Sequence, residues 1–434
     1  MNARFFCLAA WATASAAAQQ PPISLQDALA RARQYAGQAQ SANLAIAQAA
    51  EDRLQARAAR LPSVNAFNQF IYTQANGTPS GVFVANDGVH IYNEQAVIHQ
   101  EVLAIARSGE VRRAMAAEAV ARAKGDVAAR GLNATVIQDY FAIPAARRKA
   151  AYAQTSLEEA RTFLDITQKQ EKGGEVAHAD VVKAQVLTQQ RARDVVEAEL
   201  AIDRAKIALG VLIFPDVNTT YEVADDLEQA AVVPPAAETR ARAATASPEL
   251  KVAMSSIEAS GYDVNVARYA YLPSLGLDIF YGINANTLSL HTRIEQPGEA
   301  PFSRSNLGYV AQATLNIPVW NWGATRSKVK QAELRREQAQ LDLTLARRTL
   351  NGNVAGQHRE AQTAQNQIAS LRDTASLSVE NLRLTVLRYQ AGEATAFEVV
   401  DAQSTLNAAR NAFVDGLARF RVALSALQNL TGSF

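Results

Sequence analysis

The clearest pattern in this chain is a two-residue alternation. From Ser274 to Asn284, Leu275, Leu277, Ile279, Tyr281 and Ile283 take one side, and Ser274, Gly276, Asp278, Gly282 and Asn284 take the other, with Phe280 the exception. Successive side chains of a strand point to opposite faces, so this run reads as a strand with one apolar and one polar side. A second run repeats the pattern: Leu307, Tyr309, Ala311, Ala313, Leu315 and Ile317 against Gly308, Gln312, Thr314 and Asn316. Together they predict a β-hairpin over 274–318 with a long polar loop at 285–306. Residues 63–73 and 89–102 also look extended, with Asn76-Gly77 and Asn86-Asp87-Gly88 as turn chemistry between them. Their alternation is less clean, because Asn68, Gln69, Glu94 and Gln95 fall among apolar residues.

The rest of the pattern is helical. Ser24, followed by Gln26-Asp27, opens a helix expected to run to about Arg60, where Pro62 stops it. A helical stretch from about Gly109 to Lys172 carries Pro144, which removes a hydrogen bond and predicts a kink. Another helix continues from the turn at Gly173-Gly174 to about Leu209. Residues 213–237 break the pattern with Pro215 and Pro234-Pro235, and predict an irregular connection with one short strand at 219–223. A further helix begins near Glu238 and ends before Pro273. Ala324 to Gln390 is near-continuous, weakest at Asn351-Gly352-Asn353 and Gly356, and as a helix would measure roughly 100 Å. The last helix carries a seam at Leu406, Phe413, Leu417, Phe420, Leu424 and Leu427, with the four-and-three spacing of coiled-coil packing.

Two marks recur in order. Leu61-Pro62-Ser63 returns as Leu272-Pro273-Ser274, each after an Ala-Arg pair, and each is a helix stop followed by extended chain. With Gly174 aligned on Gly392, Gly-Glu, Val-Val and Ala-Gln coincide and Asp180 falls on Glu398. Glycine just past a helical run is a C-terminal stop, since it enters the left-handed region cheaply. Thr395 followed by Glu398 is a capping box that starts the next helix. The chain is therefore read as an internal duplication. Residues 1–18 form a leader, 19–212 the first repeat, 213–237 the connection, and 238–434 the second repeat with its turn at 391–394.

Composition narrows the function classes. Of 434 residues, 48% are hydrophobic, 20% charged and 7% aromatic, with a net charge of +1, and this balance carries no sign of a nucleic-acid partner. Met1 to Ala18 reads as a secretory signal: Arg4, the apolar run Phe5 to Ala14, and the small residues Ala16-Ala17-Ala18. The run is too brief for a membrane anchor. Cys7, the one cysteine, lies inside it, so the mature chain is expected to have no disulfide or thiol chemistry. No later stretch approaches about 18 consecutive apolar residues. There is no HExxH, GxSxG, Walker loop or paired-cysteine spacing. Of five histidines only His178, near Glu175 and Asp180, stands in a cluster, and it reads as a solvated turn. No enzyme, cofactor or metal is expected.

The 274–318 hairpin admits two physical readings: a soluble sheet whose apolar face packs on helices, or a membrane β-barrel segment facing lipid on one side and a watery lumen on the other. Leu275 to Ile283 has nine residues, against about 9–11 for a tilted spanning strand, and Trp320 and Trp322 fall where an interfacial aromatic belt would lie or where a strand-to-helix junction would pack.

Taken together, the duplicated halves, both Leu-Pro-Ser junctions, Trp-Asn-Trp-Gly at 320–323, and both Gly-Glu turns followed by an acidic residue, Val-Val, one residue and Ala-Gln resemble the outer-membrane efflux protein family, the TolC-like channels. The resemblance spans the whole mature chain. It implies a mainly α protein with a membrane β-barrel: four strands per chain and long coiled-coil helices in an α-barrel, closed as a homotrimer, since known single-chain barrels start at eight strands. It implies an exit duct held in outer-membrane lipid with a long periplasmic extension, working with a periplasmic adaptor and an inner-membrane transporter, with no chemistry of its own. The alternative is a periplasmic coiled-coil adaptor or scaffold.

By motif position, Glu398 and Asp401 match a periplasmic constriction, and Tyr389 and Asp180 an inter-hairpin latch whose arginine, expected at Ala394, is missing. Gly174, Glu175, Gly392 and Glu393 match turn tips facing the adaptor. Asp278 falls on a lumen-facing strand side, and Pro62 and Pro273 mark the helix-to-strand junctions. As given the chain ends at Phe434, so the C-terminal part of the belt that longer members carry is expected to be missing.

Overall fold

Ser24 caps the first helix as expected. In the computed structural model, which describes residues 22–72, 90–103, 105–216, 218–295 and 300–433, its hydroxyl accepts from the Asp27 N–H at 3.2 Å while the Asp27 carboxylate accepts from the Ser24 N–H at 3.3 Å. The expected leader, Cys7 and both turns, at 76–77 and 86–88, lie outside the described residues.

The helix does not run on to Arg60. It divides into α1 (Leu25–Tyr35) and α2 (Gly37–Ala58), because Ala36 is extended at φ −65°, ψ 130° and its N–H closes back on Ala32. Gly37, a poor helix former, follows directly. The second half breaks the same way, into α5 (Ala236–Ala246) and α6 (Pro248–Tyr269). There Ser247 accepts from the Leu250 N–H at 3.3 Å and Pro248 takes the first helical turn, where its missing N–H costs nothing.

Two compact units emerge, and neither is a sequence half. One takes the chain up to Gln40, Ala129–Ala243 and the chain from Asn353; the other takes Ser41–Ala128 and Ala244–Gly352. In the first unit α3 (Ile105–Lys172, from Ala129), α4 (His178–Ile213), α7 (Ala324–Gln390, from Asn353) and α8 (Ala396–Thr431) supply several hydrophobic cores. One core joins Ala28, Leu29 and Ala32 of α1 with Leu132, Val136, Tyr140 and Phe141 of α3, Leu209 and Ile213 of α4, and Phe413, Val414 and Leu417 of α8. The seam expected on the last helix is buried along its length. Pro144 lies inside α3 without ending it, among the buried residues Tyr140, Phe141, Ile143 and Ala145.

Among the described residues the connection after α4 holds a single parallel bridge, Ile23 to Val223, where a short strand was expected. Tyr221, Val223 and Leu227 enter the core, and the Tyr140 hydroxyl donates to the Ile23 and Ala224 carbonyls at 3.3 and 3.4 Å. Burial pushes the Tyr221 phenol up to about 12. Basic side chains hold the acidic run of this connection: Arg148 grips Asp225 at 2.9 and 3.1 Å and also reaches Glu228, Arg147 and Lys206 reach Glu222, and Arg421 reaches Asp226.

The second unit contains the sheet. β1 (Ser63–Tyr72), β2 (His90–Leu103), β3 (Ser274–Ala285) and β6 (Leu307–Asn316) lie in the order β1-β2-β3-β6, all antiparallel, with a bulge between Glu101 and Leu103. The long polar loop expected at 285–306 carries a small hairpin of β4 (His291–Ile294) and β5 (Phe302–Ser305). Both junctions before the sheet fold alike. The N–H groups of Arg60 and Leu61 bond back to Arg57 and Ala58, and those of Tyr271 and Leu272 to Arg268 and Tyr269, after which Pro62 and Pro273 force extension.

Candidate functional site

The register sorts the sheet into two faces. Leu275, Leu277, Ile279, Tyr281 and Ile283 sit opposite Leu315, Ala313, Ala311, Tyr309 and Leu307, so the apolar sides of β3 and β6 coincide. Ile98 and Ala96 of β2 continue that side, followed by Val64 and Ala66 of β1, with Glu94, Asn68 and Gln100 as its polar members. Phe280, the outlier in the sequence pattern, lies between Val97 and Val310, so it is the middle of an apolar row crossing the polar face. Asp278 is on that polar face, its carboxylate 2.6 Å from His99 Nδ1. At Gly282 a Cβ would lie 2.1 Å from the Glu94 carbonyl oxygen, so only glycine lets the strands pair there.

Among the described residues the apolar face is exposed along both edges: Val64 is 69% exposed and Tyr309 78%, and all of β6 is exposed, with Leu275, Leu277, Ile279 and Ile283 of β3 half-buried between them. Aromatic residues bracket it. At the junction end stand Tyr271, Trp320 and Trp322, all exposed, with the two indoles edge to face at 5.8 Å. Toward the far end stand Tyr281, Tyr309, Phe70, Tyr72 and Tyr92, with Phe70 against Tyr92 at 5.1 Å. The edge strands β1 and β6 each pair on one side only.

The helix turns, in the other unit, form the second candidate region. Both are Schellman motifs, which satisfy carbonyls that would otherwise be orphaned at the helix end. Glu175 N–H bonds to Gln170 O at 2.9 Å and Gly174 N–H to Glu171 O at 2.9 Å; Glu393 N–H bonds to Arg388 O at 2.8 Å and Gly392 N–H to Tyr389 O at 3.0 Å. Gly174 and Gly392 take φ of 77° and 75°, and Glu175 and Glu393 are exposed beside them. The restarts differ: α4 has no side-chain cap at Ala177, while α8 has the full capping box of Thr395 and Glu398. Behind the turns, Phe163 of α3, Ala184 and Leu187 of α4, Leu382 and Tyr389 of α7, and Val399 and Leu406 of α8 form one core.

Glu398 is held at both oxygens. Oε1 accepts from the Thr395 N–H at 3.1 Å, and Oε2 pairs with Arg388 at 3.4 Å. The Thr395 N–H, then its hydroxyl, then the Arg388 charge hold this carboxyl below its ordinary value. Asp401 is exposed, with no hydrogen bond or ion pair among the described residues. Tyr389 is buried, stacked edge-on at 5.2 Å to Phe163, and its hydroxyl donates to Thr167 at 3.4 Å. Burial raises its pKa, and the Asp180 charge adds to the rise. Asp180 thus lies near Tyr389, in the first turn of α4, but the phenol's hydrogen bond goes to Thr167. His178 pairs with Glu171 at 2.6 Å, across the turn from the acids beside it in sequence.

Sequence reasoning missed three residues. Arg388 donates to the Glu393 carbonyl at 3.0 Å as well as to Glu398. Gln170 donates to the Tyr389 and Gln390 carbonyls at 3.4 Å, joining the ends of α3 and α7. Lys183 lies 5.8 Å over the Phe397 ring, joining α4 to α8. The repeat alignment held the signal for two of them, since Gln170 and Arg388 occupy the same position four residues before the aligned glycines.

Residues 240–433 match the family model described as Outer membrane efflux protein. This part of the chain is similar to the outer membrane efflux protein family. Outer membrane protein OprJ of Pseudomonas aeruginosa is 25% identical over 185 residues, 43% of this chain and 36% of that protein. Outer membrane efflux protein BepC of Brucella suis is 24% identical over 275 residues, 63% of this chain and 55% of that protein. These matches span between about a third and about half of the relatives' own length. The fold likeness reaches further, into the half before residue 240. The CmeC outer membrane channel of Campylobacter jejuni superposes over 94% of this chain and 85% of its own, with a TM-score of 0.79 at 17% identity, which shows a shared mainly helical fold. Among the described residues no helix is long and apolar enough to cross a membrane.

Proposed function

We infer that the chain is one protomer of a trimeric outer-membrane exit duct, a passive conduit that receives its cargo from an inner-membrane transporter through a periplasmic adaptor. One observation carries this reading: an apolar sheet face exposed along both edges and bracketed by aromatic bands, on a sheet with two unpaired edges. Soluble sheets cover or blunt such edges, and a closed barrel abolishes them. An apolar band between aromatic girdles is the outer surface of a membrane barrel. Tyr271 and Tyr281, ten residues apart, are separated by at most about 33 Å of extended chain, or roughly 25 Å along the axis of a barrel whose strands tilt by about 40°. Four strands close nothing alone, whereas three copies supply twelve.

The helices add a second reason for copies to assemble. Val182, Val186, Val196, Leu200, Ile207 and Val211 of α4 are exposed at spacings that keep to one side of a coiled coil, and Leu377, Leu384 and Leu387 of α7 repeat the theme. Such stripes suit neighbouring protomers packed side by side. A periplasmic adaptor or scaffold, the alternative, would bury the face of Leu275, Leu277 and Ile279 in protein, and β6 beside it is bare.

At the turns, Asp401 is the carboxylate free to act on passing ions, since Glu398 is engaged by its cap and by Arg388. In this reading the tips at Gly174, Glu175, Gly392 and Glu393 meet the adaptor. Fractionating cells that express the full chain, then sizing the detergent-extracted protein, tests the reading. Recovery in the outer-membrane fraction at three times the chain mass is expected; a soluble periplasmic monomer refutes it.

A further inference from the structure

The polar face of the sheet carries a pocket of about 490 Å3, within the range of small-molecule sites. Its floor is bare backbone, because Gly282 of β3 and Gly308 of β6 are register partners. Phe280 and Val310 form its apolar wall, and they are register partners too. The β4–β5 hairpin stands over the opposite side. Asn306 holds it there: its amide donates to Thr292 Oγ1 at 2.7 Å and to the Ser289 carbonyl at 3.0 Å, and its N–H bonds to Leu290 O at 2.9 Å. The pocket is therefore formed before any ligand arrives.

Charge selects the ligand. Arg304 of β5 is at the rim, with no ion pair among the described residues, whereas Arg293 on the facing strand is already paired with Glu295 at 3.2 Å. Among the described residues no carboxylate lines the pocket, and the other polar lining is amide and hydroxyl, including Gln95 and Asn284. A flat apolar group fits against Phe280 and Val310 over a floor with no side chains. A guanidinium pairs with a carboxylate or a similar anion through two parallel hydrogen bonds. We propose that this pocket binds small planar amphipathic anions, with the ring system on Phe280 and Val310 and the anionic group on Arg304.

The pocket lies within one unit of one chain, so binding does not depend on whether copies close into a barrel. The test is calorimetric titration of purified, detergent-solubilised protein with sodium 2-naphthoate, alongside 2-naphthylmethylammonium as a cation of similar shape. Saturable binding of naphthoate at one site per chain, and none of the cation, is expected. Arg304→Gln should weaken naphthoate about tenfold or more, since a hydrogen bond to a charged group is lost. Gly308→Val should abolish binding by filling the floor. A Cβ at that position meets no atom within 4 Å, so the variant keeps the sheet, as an unchanged thermal midpoint and elution volume would verify. Naphthoate binding of wild-type strength in either variant, or equal binding of the cation, overturns the proposal.

Discussion

Ala311→Arg separates a lipid-facing sheet from a soluble one. Ala311 sits on β6, on the side shared with Ile279, its partner in register, and every residue of β6 is exposed in the single chain. If that side faces water, an arginine there contacts nothing and changes stability by no more than about 0.5 kcal/mol. If it faces the hydrocarbon core, each arginine costs about 2–4 kcal/mol, or ~6–12 kcal/mol for three chains, comparable to the whole stability of a typical domain. The neighbouring Gln312→Arg is the control. It adds the same charge on the opposite face, beside its register partner Asp278, and a lumen full of water tolerates it. The assay is refolding into phospholipid vesicles with denaturant titration, together with the fraction of protein recovered in outer membranes. Ala311→Arg should lower the vesicle-refolded stability by at least about 2 kcal/mol and deplete the membrane fraction, with Gln312→Arg near wild type. Equal behaviour of the two variants refutes the assignment of faces.

Other outcomes follow from single contacts. Gly282→Ala drives a Cβ to 2.1 Å from the Glu94 carbonyl, which is backbone and cannot swing away, so denaturant unfolding should show a loss of ~2–4 kcal/mol. Thr395→Ala removes the hydroxyl that caps α8 and should cost about 1 kcal/mol, with faster hydrogen exchange confined to the first turn of that helix and rescue by Thr395→Ser. The Glu398 carboxyl is held below its ordinary value of 4.5, so its capping is fully present above that pH and is lost as pH falls through the lowered folded value; exchange at the 391–396 turn should rise on acidification there, and less so in Glu398→Gln. In single-channel recordings Asp401→Ala should reduce cation selectivity more than Glu398→Gln, because Arg388 already offsets the Glu398 charge; unchanged selectivity in both would make these acids ordinary helix-start residues.

What could be read from residues alone is what depends on neighbours in sequence. The alternation along β3 and β6 fixes which side chains share a face, because the pleat sends successive Cβ atoms to opposite sides wherever the strand ends up. Both Schellman turns and the Thr395–Glu398 box were legible for the same reason, since each closes within six residues on groups that the helix end leaves unpaired. The breaks at Ala36 and Ser247 were also written locally, in Gly37 and Pro248, within stretches otherwise read as one continuous helix. Partner choice was not local. That β2 pairs with β3, bringing His99 to Asp278 across 179 residues, depended on the whole sheet assembling. Phe280 looked like an error in a pattern until Val97 and Val310 arrived on either side of it. Tyr389 looked like a latch to Asp180, but its hydroxyl turns to Thr167 beneath Phe163, because a buried phenol takes the acceptor that packing places beside it. Arg388 had no visible role until the turn folded the chain back and set Glu398 within reach. Periodicity and capping are properties of backbone direction and carry over from sequence; which charges meet is decided by the packing that brings distant segments together.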